Sequence, residues 1–323
     1  MGSDYISLSI YLLVYFIVIH YYFQIAYKFR IVDKPNERSS HAKTTIRGAG
    51  VIFPIASLIP FIYYNNSLHY IYFLAGLLLI SVISFLDDAF TLKNRIRFIC
   101  HFIAVSLLLA QLNFYQFNII YIIPAFIISI GVINAYNFMD GINGMHAIYS
   151  FVSISTLYYL NGKYGQILPD SLFLSLIPAI AVFGYYNIRK KARCFSGDVG
   201  SISIAFIISY LIIILIINTA NIRWIFLLGV YGLDSVSTII LRLIRKENIF
   251  RAHRSHFYQF LANEKGISHI QVSLIYAFVQ LIINTVLIFG STNAYIPVFS
   301  LTLLFYIFLR LKLEGSQKLF VKY

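Results

Sequence analysis

Long apolar stretches separated by short polar segments dominate the chain. A transmembrane helix needs roughly 20 mostly apolar residues. Eleven stretches are candidates: 5–27, 49–64, 69–85, 96–112, 117–136, 145–160, 171–187, 201–218, 222–241, 268–289 and 295–310. The pattern predicts an all-α polytopic membrane protein with about 11 transmembrane helices and polar connecting loops. The second and sixth stretches are short for a span. The first run, Tyr5 to Tyr27, is too long for a signal-peptide core and lacks a small-residue cleavage site, so it reads as a span. No long polar insert interrupts the series, so 1–323 reads as one membrane domain.

Composition agrees. Of 323 residues, 59% are hydrophobic and 11% charged, against about 25% charged in soluble domains. The net charge is +13. In a soluble protein that would suggest nucleic acid. Here the basic residues fall in loops, where they set topology and touch anionic lipid. The bilayer is therefore an expected partner and nucleic acid is not, while an anionic substrate is compatible. With eleven spans, twenty-three of the 25 lysines and arginines fall on one side, and only Lys163 and Arg223 on the other. The positive-inside rule then predicts an outside N-terminus, a cytoplasmic C-terminus and cytoplasmic functional loops. No internal repeat is visible, which weighs against a transporter. Cys100 and Cys194 show neither metal-ligand spacing nor a disulfide framework.

The acids change the picture. Asp87 and Asp88 end the third span, Asp140 follows the fifth and Asp198 precedes the eighth, all on the basic side. Adjacent helical carboxylates point about 100° apart, so Asp87 and Asp88 should differ in role, one facing a metal or substrate and the other holding structure. Asn134 and Asn137 share a helix face before Asp140, Gly141, Asn143 and Gly144, where glycines let backbone N–H groups approach a ligand. Phe195-Ser196-Gly197-Asp198-Val199-Gly200-Ser201 is a glycine-rich turn into a helix. There Asp198 could be an N-cap or could hold Mg²⁺ shared with phosphates. In Arg251-Ala252-His253-Arg254-Ser255-His256, the two histidines lack further zinc ligands nearby. They suit phosphate donation beside Arg251 and Arg254, or a basic helix on the membrane surface. Asp234, inside the ninth span, is a functional or helix-pairing candidate. His20, His69, His101, His146 and His269 read as ordinary interface or bundle residues.

These clusters, in this order, resemble the polyprenyl-phosphate N-acetylhexosamine-1-phosphate transferases, the glycosyltransferase family 4 type. The resemblance covers nearly the whole chain: Asp33-x-Pro35-Asn36-x-Arg38-x-x-His41 through Gly48-Ala49-Gly50, Asp87-Asp88, Asn134 to Gly144, Phe195 to Ser201, Asp234-Ser235 and His253 to His256. The last segment looks most like the shorter O-antigen initiating branch. Two departures stand out. Asn143 replaces the usual second acid of its motif, which puts any role of that acid in question here, and Ala49 interrupts the usual glycine pair.

The resemblance implies transfer of a sugar 1-phosphate from a UDP-N-acetylhexosamine donor to undecaprenyl phosphate, releasing UMP at the bacterial inner membrane and starting a lipid-linked surface polysaccharide. It implies Asp198 as ligand of Mg²⁺, with Mn²⁺ the alternative ion. Asp87 or Asp88 would position or deprotonate the acceptor. Asn134, Asn137 and Asp140 would bind nucleotide or diphosphate. His253, Arg254 and His256 would act on the diphosphate or sugar, with Arg251, Arg38 and His41 beside the substrates. A homodimer is left open. The rival reading is a transporter or flippase for an anionic sugar-nucleotide or lipid phosphate, which calls for charged or broken helices at the midplane.

Overall fold

The computed structural model describes residues 2–33, 44–63, 68–249, 253–291, 293–315 and 319–320. Among them, eleven α-helices coincide with the eleven apolar stretches: α1 Gly2–Phe29, α2 Ile52–Tyr63, α3 Ile71–Phe90, α4 Asn94–Gln111, α5 Ile119–Met139, α6 Met145–Lys163, α7 Asp170–Asn187, α8 Gly197–Thr219, α9 Gly229–Ile244, α11 His269–Phe289 and α12 Tyr295–Glu314. A further helix, α10 Phe257–Asn263, follows the basic segment after α9.

Among the described residues, seven segments are long and apolar enough to cross a membrane: α1 from Ser7, α3, α5, α8, α9 with the 3₁₀ turn leading into it, α11 and α12. The other four depart from the expected spans for physical reasons. α2 has 12 residues, so at 1.5 Å per residue it extends about 18 Å, short of a hydrocarbon core of roughly 30 Å. α6 carries His146, Ser150, Ser153, Thr156 and Asn161, which lower its hydropathy, yet all five are buried. α4 opens with Arg95 and Arg97, and α7 is bounded by Asp170 and Asn187.

α8 is central. Every residue from Gly197 to Ile213 is buried, with α3 and α5 packed against it, while α6 packs on α7 and α11. Polar side chains tie helices together. The Ser81 and Ser203 hydroxyls meet at 2.8 Å, the Tyr149 hydroxyl donates to Gln280 Oε1 at 2.6 Å, and Asn284 Nδ2 donates to Thr156 Oγ1 at 3.0 Å. Such bonds satisfy groups that would otherwise face hydrocarbon.

Among the described residues, the all-helical expectation is interrupted once. Val32–Asp33 (β1) pairs antiparallel with Thr45–Ile46 (β2), and Ile46 bridges Cys194 in parallel. The chain from Ile46 to Gly50 then runs beside residues 194–196. Phe195 N donates to Ile46 O (2.8 Å), Ala49 N to Phe195 O (3.1 Å) and Gly50 N to Ser196 O (3.0 Å). Gly50 and Gly200 meet backbone to backbone, and a Cβ on Gly200 would lie 2.7 Å from the Gly50 Cα. Neither position admits a side chain without displacing main chain. Both cysteines are free, Cys194 buried.

Candidate active site

α3 delivers Asp87 and Asp88 to the start of α8. Their side chains diverge. Asp88 accepts hydrogen bonds from the backbone N–H of Asp198 (2.9 Å) and Val199 (3.0 Å), where the unpaired N–H groups of a helix start favour an anion. Asp87 accepts from Leu92 N at 2.6 Å, closing the turn after α3. Asp198 is buried in the first turn of α8.

Two arginines join these three carboxyl groups. Arg47 reaches Asp88 through Nε (2.6 Å) and Asp198 through Nη2 (2.8 Å). Arg97 reaches Asp87 through Nη1 (2.9 Å) and Asp198 through Nη2 (2.8 Å). The planar fork of each guanidinium makes such bridging possible. Burial opposes the charge on Arg47, but Asp88 and Asp198 outweigh it and raise its pKa further.

The turn after α5 adds Asp140, which accepts from Ser196 Oγ at 2.6 Å. Burial pushes the Asp140 pKa up to about 7, against the Ser196 hydrogen bond and Arg47, with Asp88 and Asp198 adding to the rise. Asn137 joins the same wall, its Oδ1 accepting from Ser201 Oγ at 3.4 Å. Asn134 does not join it: it is exposed and its amide donates to the Ile130 carbonyl at 2.9 Å. Asn143 donates to the carbonyls of Arg189 (2.8 Å) and Lys190 (3.3 Å), and its backbone N–H reaches His269 Nδ1 (3.3 Å). An ionised carboxylate at this position could donate to neither carbonyl. The Asn at this point therefore holds the turn against the loop after α7.

The histidine segment approaches from the other side. It is not a surface helix, and the His253–His256 pair is not helical. The described residues 253–256 have no regular secondary structure, His256 itself being extended, and Phe257, Tyr258, Phe260 and Leu261 of α10 are buried. Asp234 organises this entry. Fully buried, it accepts from the backbone N–H of Phe257 (3.0 Å) and Tyr258 (3.2 Å), from His256 Nδ1 (3.2 Å) and from the Tyr276 hydroxyl. A carboxylate acceptor fixes the proton on His256 Nδ1. His256 Nε2 is buried without a protein partner. Arg310 donates to the Ser255 carbonyl at 3.0 Å. The Phe138 ring lies 5.6 Å from His256 and 6.0 Å from His253, and the Tyr258 hydroxyl donates to the Phe138 carbonyl at 2.7 Å. Burial, then His256, Arg242 and Arg245, lower the His253 pKa to about 3, so that imidazole is neutral near pH 7. Arg254 is exposed. Arg38, His41 and Arg251 lie outside the described residues.

Three carboxyl groups against two guanidinium groups leave room for a further positive charge. No group of three His, Cys, Asp or Glu that could hold a metal occurs among the described residues. Asp198, with Asp87 and Asp88 near it, offers the one or two carboxylates that an ion such as Mg²⁺ takes, the rest of such an ion's shell being phosphate oxygens and water. Sequence reasoning credited Arg47 and Arg97 with topology alone. The available signals were local: Arg47 directly precedes Gly48-Ala49-Gly50, and Arg97 lies in the first turn of α4, the helix that follows the Asp pair. Asp234 was visible as an intramembrane acid, but no local spacing links it to His256.

Residues 70–216 match the family described as Glycosyl transferase family 4. The chain is 26% identical, over 87% of its length and 83% of the relative's, to a probable undecaprenyl-phosphate N-acetylglucosaminyl 1-phosphate transferase of Bacillus subtilis. It is 22% identical, with the same coverage of both chains, to an undecaprenyl-phosphate alpha-N-acetylglucosaminyl 1-phosphate transferase of Yersinia pestis. A phospho-N-acetylmuramoyl-pentapeptide-transferase of Dictyoglomus turgidum is 27% identical over 64% of this chain and 70% of its own.

Proposed function

The chain belongs to the polyprenyl-phosphate N-acetylhexosamine-1-phosphate transferases of glycosyl transferase family 4, and on that premise we propose that it transfers an N-acetylhexosamine 1-phosphate from a UDP-sugar to undecaprenyl phosphate. The observation that carries this reading is the convergence of four sequence-distant polar segments, Arg47, Asp87 with Asp88, Asp140 and Asp198, with the His253–His256 segment packed beside Phe138 at the end of α5. In the reaction, an oxygen of the acceptor phosphate attacks the phosphorus that bears the sugar. The bond from that phosphorus to the bridging oxygen breaks, and UMP leaves with the oxygen. The acceptor needs little base catalysis, because a phosphate monoester has a second pKa near ~6. The barrier is chiefly the approach of two anions, so positioning and charge compensation carry the catalysis.

Arg47 and Arg97 suit this task, each able to turn from carboxylates to phosphate oxygens. Mg²⁺, or Mn²⁺ in its place, held by Asp198 and shared with the diphosphate, would supply the remaining positive charge. Asp87 positions the acceptor, while Asp88 anchors the start of α8. Asp140 and Asn137 line the donor side. His256, oriented by Asp234, offers Nε2 to the diphosphate or sugar, with His253 and Arg254 beside it. The site faces the cytoplasm of a bacterial plasma membrane and starts a lipid-linked surface polysaccharide of the O-antigen kind. A flippase reading is less well supported, because Asp234, its one candidate midplane acid, is spent on holding the histidine segment.

The test is exchange of labelled UMP into a panel of UDP-sugars by purified protein. Label should enter a UDP-N-acetylhexosamine when undecaprenyl phosphate and Mg²⁺ are both present. Absence of exchange with every donor would overturn the reading. Asp198→Asn, folded by thermal melt, should lose roughly a thousandfold in rate, equivalent to ~4 kcal/mol of transition-state stabilisation.

A further inference from the structure

α6, α8 and α11 all begin at the end that carries the carboxylate cluster. Asn143 and Gly144 lead into α6, Gly197 and Asp198 open α8, and His269 at the start of α11 accepts from the Asn143 N–H. α8 has 23 residues, about 34 Å at 1.5 Å per residue, enough to cross a hydrocarbon core of roughly 30 Å. At the far end the chain brings together Lys163 and Arg223, the two basic residues that the eleven-span pattern leaves outside the basic side. Lys163 closes α6 and donates from Nζ to the Ile288 carbonyl near the end of α11 at 2.9 Å. Arg223 follows α8 in the 3₁₀ turn Ile222–Leu228. Tyr164 touches both: Arg223 Nη2 donates to its hydroxyl at 3.4 Å, and Lys163 Nζ stands 5.9 Å from its ring centre.

Among the described residues, neither cation has a carboxylate within ion-pairing distance. Arg223 is 8% exposed, and its guanidinium lies 4.3 Å from the Trp224 ring. Its Nε is buried without a protein partner, and the bond to Tyr164 is long. Asp170, the acid that opens α7, is taken by Asn161 Nδ2 at 3.0 Å and Gln166 Nε2 at 2.9 Å. A guanidinium has five donors and a permanent charge. Stacking on an indole offsets part of its desolvation, but a buried charge with no anion is costly. The surroundings are apolar: Tyr159, Ile222 and Phe289 are exposed, and the Tyr159 and Phe289 rings stand 6.1 Å apart. Aromatic side chains at the ends of membrane-crossing helices sit at headgroup level.

We propose that Arg223 and Lys163 hold the headgroup of an anionic phospholipid in the leaflet opposite the carboxylate cluster. The lipid phosphodiester accepts from Arg223, Lys163 supplies a second positive charge, and the acyl chains lie along the exposed rings. A zwitterionic lipid would bring its own cation to a place that already holds two, so an anionic headgroup such as phosphatidylglycerol fits better. Occupied, the site ties the ends of α6 and α11 to the turn after α8. It lies the length of α8 away from the carboxylate cluster and does not rest on the transfer reading.

Trp224 is the single tryptophan of the chain and packs on Arg223, so its emission reports the site. Full-length protein in phosphatidylcholine nanodiscs is titrated with phosphatidylglycerol or phosphatidylcholine bearing a nitroxide at the top of an acyl chain. Labelled phosphatidylglycerol should quench Trp224 at an about tenfold lower fraction than labelled phosphatidylcholine, the ratio expected for one charge-assisted hydrogen bond. Arg223→Gln should abolish that preference, and Arg223→Lys should retain part of it. Basic residues on the other face enrich phosphatidylglycerol around wild type and variant alike. A preference that survives Arg223→Gln would therefore overturn the assignment, as would equal quenching by the two lipids in wild type. Excess inorganic phosphate should leave the quenching unchanged; relief by phosphate would make the occupant a free anion and not a lipid. If Arg223→Gln fails to fold, Lys163→Gln decides: it should lower the preference, and an unchanged preference would count against the site.

Discussion

Asp234 and His256 stand 22 residues apart in sequence and meet at 3.2 Å in the buried interior. The same carboxylate also receives two backbone N–H groups at the start of α10, so one side chain sets both the fold of the segment and the orientation of its imidazole. Asp234→Asn keeps the size but turns an NH₂ toward donors or loses one acceptor. It should cost about 2–3 kcal/mol of stability through unpaired buried groups. His256→Gln should lower turnover with little change in melting temperature. If Asp234→Asn left both the melt and the rate unchanged, the anchoring role would be wrong.

Arg97 offers a test with opposite signs. Arg97→Gln removes one positive charge from between Asp87 and Asp198. Mg²⁺ should then bind more tightly, because a neighbouring full charge shifts an ionic equilibrium by about one to three powers of ten. The donor diphosphate should bind more weakly for the same reason. Mg²⁺ titration by thermal shift and KM for the UDP-sugar read the two effects separately. Parallel weakening of both would indicate general collapse of the site.

Asn143→Asp places an acid where the resemblance to the family leads one to expect it. Here it would face two carbonyl oxygens with no proton to donate. A loss of about 1–3 kcal/mol is expected at neutral pH, the penalty for unsatisfied buried groups. The introduced carboxyl would hold its proton more tightly folded than unfolded. The variant should therefore approach wild-type stability in acid and lose it as pH rises, which melts across pH will show.

Asp140 gives the corresponding test in the native sequence. Its pKa rises from the ordinary 3.8 to about 7 on folding. The proton is thus favoured by the folded state, and this group's contribution is fully present below pH ~4 and lost as pH rises toward ~7. The melting temperature of Asp140→Asn relative to wild type should therefore climb over that window. A flat difference would mean that Asp140 is ionised throughout.

Much of this arrangement was readable from the sequence, because it rests on local signals. Apolar stretches located every long helix, and Gly-flanked acids marked where α3, α5 and α8 meet. What escaped has a common cause. α6 puts its polar residues inside the bundle, so hydropathy understates it. α2 is shorter than its apolar stretch because Ala49–Val51 form a 3₁₀ turn fixed against Phe195 and Ser196. The arginines that bridge the acids, and Asn143's grip on the loop after α7, are contacts across tens to more than a hundred residues. No spacing rule reaches them.

The contact between Gly50 and Gly200 also bears on how the protein is made. One half of that contact leaves the ribosome 150 residues after the other, a number that follows from their positions. Until α8 is inserted, Asp88 has no N–H groups to hold, Arg47 has only part of its pair, and the strand at Ile46 has no Cys194 to bridge. A chain stalled before α8 would therefore hold several buried-type charges without partners, a state that membrane quality control can recognise. A nascent-chain series released at successive lengths should gain protease resistance in the 44–51 segment abruptly, at the length that first frees residues 194–201 for packing.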